Sequence, residues 1–312
     1  MSSGAASPRG ATGPTLSIVV LSWNTRELLS ACLSSLDRAR DAERWQVIVV
    51  DNDSADQSAD MVADQFPWAE LVRNPVNDGY AIGNNIGAAL ATGEYLLLLN
   101  SDTEVKPGAL DTLVDWLDER PGHGVCAPRL VHPDGVVQLS CMRFPTLGTA
   151  VFFDTVFDKW FPKNRSMPRY FMRDFDHLST RDVDQPPGAA LLIRRALWEQ
   201  LSGFDPELWL FFNDVDLCRR VHAAGHKVGY VADVTVLHHE GKSTSQFPAF
   251  GEIWHKNRHA YYRKHYGWRG SLLAKVMTGV RGLAEARRLA REQAPQQARR
   301  EMWQAVRKVW SA

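Results

Sequence analysis

Three apolar runs of strand length, Leu16–Ser22 (LSIVVLS), Trp45–Val50 (WQVIVV) and Tyr95–Leu99 (YLLLL), restrict what this chain can fold into. They are too continuously apolar for a half-exposed strand, so each predicts a strand buried on both faces, as in a parallel sheet covered by helices. Helical patterns lie between them. Thr25 is placed to cap a helix over Arg26–Arg40, whose Leu28, Leu29, Cys32, Leu33 and Leu36 form one stripe. A second helix is expected near Ser58–Phe66 and a short strand at Glu70–Arg73. An Asn- and Gly-rich loop, Asn74–Asn85, then leads into a helix over Asn84–Ala91. Strand–helix alternation of this kind means βαβ units with right-handed crossovers, an α/β class with a mostly parallel sheet flanked by helices.

The second half is less regular. A helix is expected over Gly108–Glu119 after Pro107, a strand over Gly124–Val131 and a turn at His132–Gly135. Phe144–Asp182 is aromatic and mixed in charge, fitting helices and loops that either line a groove or cap the sheet. Gly188–Ile193 reads as a strand, Arg195–Leu201 and Leu217–Ala224 as helices, and Val228–Val231 and Val234–Leu237 as two strand segments, the second running into His238–His239.

Ligands of such sheets bind beyond the carboxyl ends of the strands. Three strands end there in polar residues: Ser22–Trp23–Asn24, Asp51–Asn52–Asp53–Ser54 and Asn100–Ser101–Asp102. One Asp after a strand is an ordinary Asx turn, but three polar ends on one edge argue for a site. Asp102 suits a divalent cation that neutralises a leaving diphosphate, with Asn100 assisting. Imidazole tolerates mixed O/N metal sites, and His238 and His239 point opposite ways on a continuing strand, so at most one is a ligand. Asp51 and Asp53 are natural partners for a pyrimidine N–H or ribose hydroxyls, and Gly79 and Gly83 permit close backbone approach. Asp214 and Asp216 are either helix N-terminal acids that favour the dipole, or one of them is a general base for an acceptor hydroxyl.

Several classes are excluded. The formal net charge of zero gives no global signal for nucleic acid, and no GxGxxG or Walker A spacing occurs. The four cysteines, Cys32, Cys126, Cys141 and Cys218, lack CxxC spacing and read as core residues of a reducing compartment. Residues 1–14 have the composition of a disordered leader, without the apolar core of a signal peptide, and no apolar run reaches membrane-spanning length. A cytoplasmic protein is expected. Charge is nonetheless uneven. Arg269–Ala312 holds ten basic and three acidic residues, a net of +7, leaving −7 on the rest. Arg281, Arg287, Arg288, Arg291, Arg299, Arg300 and Arg307 alternate there with Leu283, Leu289, Met302, Trp303, Val306 and Trp310, and Pro295 divides two expected helices. A basic amphipathic tail of this kind fits a solvated helix, an oligomer contact, or peripheral contact with an anionic membrane.

The stretches SIVVLSWN, VIVVDNDSAD, NPVNDGYAIGNN, ATGEYLLLLNSDTEV, PPGAALLIRR, FFNDVDLCRR and VLHHEGKST, in this order over Leu16–Ser245, resemble the family 2 glycosyltransferases of GT-A fold, in particular their rhamnosyltransferase-like branch. The resemblance implies a GT-A domain over 15–268 followed by the helical tail 269–312. Ser22, Trp23, Asn24, Asp51, Asn52 and Asp53 would contact the nucleoside, with Asp78, Gly79 and Asn84 near the donor and Gly188–Ala189 facing its sugar. Asn100–Ser101–Asp102 matches the DXD motif with Asp102 as metal ligand, Asp214 matches the base-bearing acid, and His238 the late metal-binding His. Two positions depart from the pattern: Asn100 replaces the first DXD acid, and Asn213 stands where this branch often has Glu.

The expected activity is inverting transfer of a sugar from a nucleotide-diphosphate donor, dTDP-L-rhamnose by resemblance, with Mg²⁺ or Mn²⁺. The expected acceptor is a saccharide or polyprenyl-linked saccharide in cell-surface polysaccharide synthesis. A UDP-sugar donor and a non-catalytic sugar-nucleotide-binding subunit are the alternatives. A nucleotidyltransferase would want a Gly-rich basic loop where Ser22–Trp23–Asn24 stands.

Overall fold

The computed structural model describes residues 14–41, 43–239, 250–292, 300 and 302–304. The leader before residue 14, the stretch 240–249, Pro295 and most of the chain beyond it, including Arg299, Val306, Arg307 and Trp310, lie outside the described residues.

The first half follows the alternation closely: β1 (Leu16–Ser22), α1 (Arg26–Ala39), β2 (Trp45–Asn52), α2 (Ser58–Gln65), β3 (Glu70–Asn74), α3 (Gly79–Ala88) and β4 (Tyr95–Asn100). After it come β5 (Thr103–Val105), α4 (Ala109–Asp118), β6 (His123–Val131), α5 (Leu147–Phe152), α6 (Val156–Trp160), α7 (Ser166–Tyr170) and β7 (Arg181–Asp182). The chain continues through β8 (Ala190–Arg194), α8 (Arg195–Gln200), α9 (Asn213–Ala223), β9 (Lys227–His238) and α10 (Phe250–Arg291).

The strands form one mixed sheet in the order β3-β2-β1-β4-β8-β6-β9-β5, with β7 beside β9. The βαβ half is parallel. β8 enters antiparallel between β4 and β6, and β5 joins antiparallel to β9.

Double-sided burial explains the unbroken apolar runs. Leu16, Ile18 and Val20 of β1 and Tyr95, Leu97 and Leu99 of β4 face the core under α1 and α4. Val19, Leu96 and Leu98 face the opposite core, shared with α3, α8 and α9. Each fully buried aliphatic side chain contributes about 1.5–3 kcal/mol, and the two layers together position the carboxyl edge. α3 lies close on the sheet because Gly83 and Gly87 present no side chain: a Cβ there would come within 2.5 Å of Leu21 and Val19 respectively. The four cysteines are buried free thiols.

Several local expectations need correction. Thr25 occupies the N-cap position of α1 but makes no side-chain cap; its hydroxyl instead meets Ser22 Oγ and Ser101 Oγ, both at 2.9 Å. The third helix starts at Gly79 rather than Asn84, because the Trp209 carbonyl accepts from the Tyr80 and Ala81 amides at 2.7 and 3.3 Å and so caps the extra turn. α9 starts at Asn213, not Leu217, which places Asp214 and Asp216 in its first turn. Val228–Val231 and Val234–Leu237 are one strand. The register against β6 jumps between Pro128↔Val231 and Arg129↔Thr235, so the intervening residues bulge without ending the ladder.

The helix expected from Arg269 begins at Phe250 and passes a break at Gly267, whose φ is 66°. Ala274, Met277 and Thr278 beyond the break are buried. Arg281 pairs with Asp154 at 2.8 Å, and Arg288 with Glu285 and Glu292, so part of the basic stripe is internally neutralised. Among the described residues no helix is long and apolar enough to cross a membrane.

Candidate active site

Register brings the three polar strand ends together: Ser22 lies opposite Asp51, and Leu21 opposite Asn100. The hydroxyls of Ser22, Thr25 and Ser101 run in series across this edge and tie the end of β1 to the Asn100–Ser101–Asp102 turn. Asn24 and Asp53, both at positive φ, flank a cross-link between the first two loops: the Asn24 amide donates to Ser54 Oγ (2.9 Å), and Asn24 Oδ1 accepts from the Ala55 amide (2.7 Å). Trp23 is half-buried in the same turn. Asp51 accepts from the Ser54 amide through Oδ2, while its buried Oδ1 has no hydrogen-bond partner among the described residues. Asn52 and Asp78 belong to one amide network. Asn52 donates to Asn77 Oδ1 and the Gly79 carbonyl, and Asn74 donates to both Asn52 Oδ1 and Asp78 Oδ2. Asn84 is buried on α3 and donates to the Tyr80 carbonyl.

A second group gathers around a cleft of about 420 Å³ lined by Tyr80, Asn100, Gln185, Gly188, Asp214 and His238, with Ala189 also at its wall. Asn100 donates its backbone amide to the Ala189 carbonyl (2.9 Å). The Tyr80 hydroxyl lies 3.1 Å from Asn100 Oδ1 and 3.2 Å from the Gly188 carbonyl. Gly188 faces Asp214 closely: a Cβ there would stand 2.9 Å from Asp214 Oδ2.

Asp214 and Asp216 part ways here. Burial raises the pKa of Asp214, and hydrogen bonds from the Val215 amide (2.8 Å) and Gln185 Nε2 (3.2 Å) only partly offset it. A carboxylate held this way is a stronger proton acceptor than an ordinary one. Asp216 is fully buried, does not line the cleft, and meets Arg220 (2.8 Å), Lys264 (2.9 Å) and the His265 imidazole (2.8 Å). Burial alone would raise its pKa, but these partners outweigh burial and lower it.

Asp216 therefore fastens α9 to α10. Asp216→Asn is expected to cost about 1.5–3 kcal/mol by weakening the charge-assisted hydrogen bonds to Arg220, Lys264 and His265. Its folded pKa lies below the unfolded value, so this stabilisation is full above ordinary carboxylate pH and is lost as pH falls through the depressed value. Urea melts of both proteins at neutral and acid pH check this: a difference that does not shrink in acid would refute it.

Asp102 is 2% exposed. Its Oδ1 lies 3.5 Å from His238 Nε2, whereas His239 turns to Glu104 at 3.1 Å. Gln138 fixes the tautomer of His238. Its Nε2 donates to the His238 carbonyl (2.8 Å) and meets His132 Nδ1 (3.0 Å), so its Oε1, 2.9 Å from His238 Nδ1, is the acceptor. In the neutral imidazole the proton therefore sits on Nδ1, and the Nε2 lone pair faces a carboxylate oxygen. Two lone pairs set against each other, with the imidazole oriented from behind, fit a cation between them. Among the described residues no group of three or more His, Cys, Asp or Glu is close enough to form a complete cage. That suits a cation which takes its remaining ligands from substrate phosphates and water.

Sequence reasoning did not single out Tyr80, Gln138 or Gln185. Tyr80 stands inside the conspicuous NDGYAIGNN loop, and Gln185 immediately precedes Pro186–Pro187–Gly188, so both had a positional signal. Gln138 had none.

Residues 17–201 match the family model described as Glycosyl transferase family 2. The chain is 28% identical over 266 residues to the N-acetylglucosaminyl-diphospho-decaprenol L-rhamnosyltransferase of Mycobacterium tuberculosis, spanning 81% of this chain and 86% of that one. It is 22% identical over 248 residues to the rhamnosyltransferase WbbL of Escherichia coli, spanning 76% and 88%. A mannosyltransferase from Pyrobaculum calidifontis, solved in complex with GDP-Man and Mn²⁺, superposes with a TM-score of 0.54 at 15% identity over 96% of this chain and 86% of that one. At that identity the likeness bears on the fold, which is GT-A. Matched over more than half its length, and with its polar strand ends assembled on one edge beside a cleft, this chain belongs to glycosyl transferase family 2.

Proposed function

We propose that the protein transfers L-rhamnose from dTDP-L-rhamnose, with inversion, to a saccharide carried on a polyprenyl diphosphate, in the assembly of a cell-surface polysaccharide. The observation that carries this reading is that Asp214, with its raised pKa, shares one cleft with Asn100, Gly188 and His238. The mycobacterial relative, named for rhamnosyl transfer to a decaprenyl-diphosphate-linked sugar, supports the donor sugar and the acceptor class. The protein would work in the cytoplasm at the inner face of the membrane, which the basic face of the tail would touch.

In this mechanism Ser22–Trp23–Asn24 and Asp51–Asn52–Asp53 hold the nucleoside. Asp51 Oδ1, without a hydrogen-bond partner among the described residues, suits the N3–H of a pyrimidine. Asp78 and Gly79 border the donor, and Asn84 supports them from within α3. Asp102 and His238 would hold Mg²⁺ or Mn²⁺, which when bound supplies positive charge against the leaving diphosphate. Gly188 and Ala189 leave room for the sugar, while Tyr80 keeps Asn100 and Gly188 in place. Asp214 accepts the proton of the acceptor hydroxyl as its oxygen bonds to the anomeric carbon. The bond from that carbon to the phosphate oxygen breaks on the opposite face, and its electron pair leaves with the nucleoside diphosphate.

A donor screen across dTDP-, UDP- and GDP-sugars tests this. Turnover is expected with dTDP-L-rhamnose in preference to all others. Preferential turnover of a UDP-sugar would overturn the donor assignment, and donor binding without turnover of any sugar would make the chain a binding subunit.

A further inference from the structure

The helical segment between β6 and β8 holds a second cavity that the donor chemistry does not use. Arg143, Arg165 and Arg169 line it with Thr146, Ser166 and Tyr170, in a volume of about 180 Å³. No Asp or Glu is among its lining residues. Several arginines elsewhere are paired with carboxylates: Arg195 with Glu199, Arg220 with Asp216, Arg263 with Glu207. The guanidinium groups of Arg143, Arg165 and Arg169 have no ion-pair or hydrogen-bond partner among the described residues. Three like charges around one small cavity repel each other until an anion enters. Guanidinium forks match phosphate oxygens in shape as well as charge.

The cavity adjoins the active-site cleft. Met142 lines the cleft and Arg143 the cavity. The Arg143 amide donates to the Tyr170 carbonyl at 2.9 Å. Asp214 is near enough to Tyr170 for its negative charge to add to burial in raising the phenol pKa. The same run of short helices exposes Leu147 (45%), Trp160 (66%) and Phe161 (56%). A cationic cavity that adjoins the cleft of a proton acceptor, in a segment that also exposes apolar side chains, fits an anion that carries a sugar at one end and hydrocarbon at the other.

We propose that Arg143, Arg165 and Arg169 bind the diphosphate of the lipid-linked acceptor, directing the attached saccharide toward Asp214. The inference rests on the acceptor class proposed above and assigns it a place.

The test uses the full chain and three acceptors: a farnesyl-diphosphate-linked saccharide, the same saccharide 1-diphosphate without lipid, and its octyl glycoside. In Arg165→Ala/Arg169→Ala, both at exposed positions, kcat/KM for the diphosphate acceptors relative to the octyl glycoside is expected to fall about 100-fold, through KM. An unchanged ratio overturns the proposal. So does a loss of binding to phosphatidylglycerol vesicles with that ratio unchanged, which would give the arginines to phospholipid headgroups.

Inorganic pyrophosphate, titrated calorimetrically in EDTA without donor, separates this site from the acceptor reading. Binding that disappears in the double variant supports the site even where no saccharide is used, in which case the acceptor class fails alone. No binding to the unaltered protein overturns the site.

Discussion

Asp214→Asn is expected to lower kcat by about 10²–10⁴-fold and, at neutral pH, to raise the melting temperature. The two effects share one cause. Burial disfavours the charged carboxylate, so the folded pKa stands above the unfolded one. The folded state then bears a cost that is fully present above the raised pKa and vanishes below the ordinary carboxylate value. An uncharged amide removes that cost. It also fits the site: Gln185 can turn its amide so that Oε1, a buried atom without a partner among the described residues, accepts from the new NH₂. Donor affinity, measured by calorimetry with a divalent cation, is expected to persist. In the unaltered enzyme the acid limb of the kcat/KM profile should lie above the usual carboxylate range, since the rate needs Asp214 ionised. Full activity in the variant would remove Asp214 from the mechanism, and a stability gain that survives in acid would refute the burial argument.

The second large effect is expected at Asp102. Replacing it with Ala leaves His238 as the remaining side chain of the pair, and kcat/KM is expected to fall about 10³-fold, equivalent to about 4 kcal/mol of lost transition-state stabilisation. The diagnostic readout is binding rather than rate. Mn²⁺ should raise the melting temperature of the unaltered protein in the presence of a nucleoside diphosphate and should not do so in Asp102→Ala. An equal shift in both proteins would free Asp102 of the ligand role. The pairing of a buried carboxylate with an imidazole whose proton is fixed on the far nitrogen motivates this expectation.

Much of the fold was legible because its causes are local. Leu16–Ser22, Trp45–Val50 and Tyr95–Leu99 are buried from both sides, and continuous apolar character is the direct imprint of that burial. The edge on which Ser22, Asp51 and Asn100 meet follows from parallel register alone. What was not legible depends on distant partners. Helix α3 starts at Gly79 because of a carbonyl from the 205–212 loop, itself held by Asn257 of α10, whose Oδ1 accepts from the Leu210 and Phe211 amides. Nothing near Gly79 announces that contact. Thr25 has the residue type and position of a helix cap, yet two hydroxyls across the sheet edge outcompete its own backbone. What sets the surroundings of Asp216 apart from those of Asp214 is Lys264 and His265, and what sets His238 apart from His239 is Gln138 and Glu104, all remote in sequence. The segment 144–182 shows no periodicity because its helices are short, five or six residues each, and pack on one another and on α10.

The carbonyl that lengthens α3 also decides how this fold can manage anionic charge. A helix that starts at a sheet edge usually offers free amides and the positive end of its macrodipole to a phosphate. Here the Gly79 amide is taken by Asn77 Oδ1, and those of Tyr80 and Ala81 by Trp209. The start of α9 is similarly spent: Asn213 Oδ1 takes the Asp214 amide, Asp214 Oδ1 that of Val215, and the Phe212 carbonyl that of Asp216. Both helix ends are thus electrostatically closed from within. Under the proposed function, a donor diphosphate at this edge would be neutralised by a cation rather than by these backbone amides, so exchanging the cation would change how tightly the donor is held.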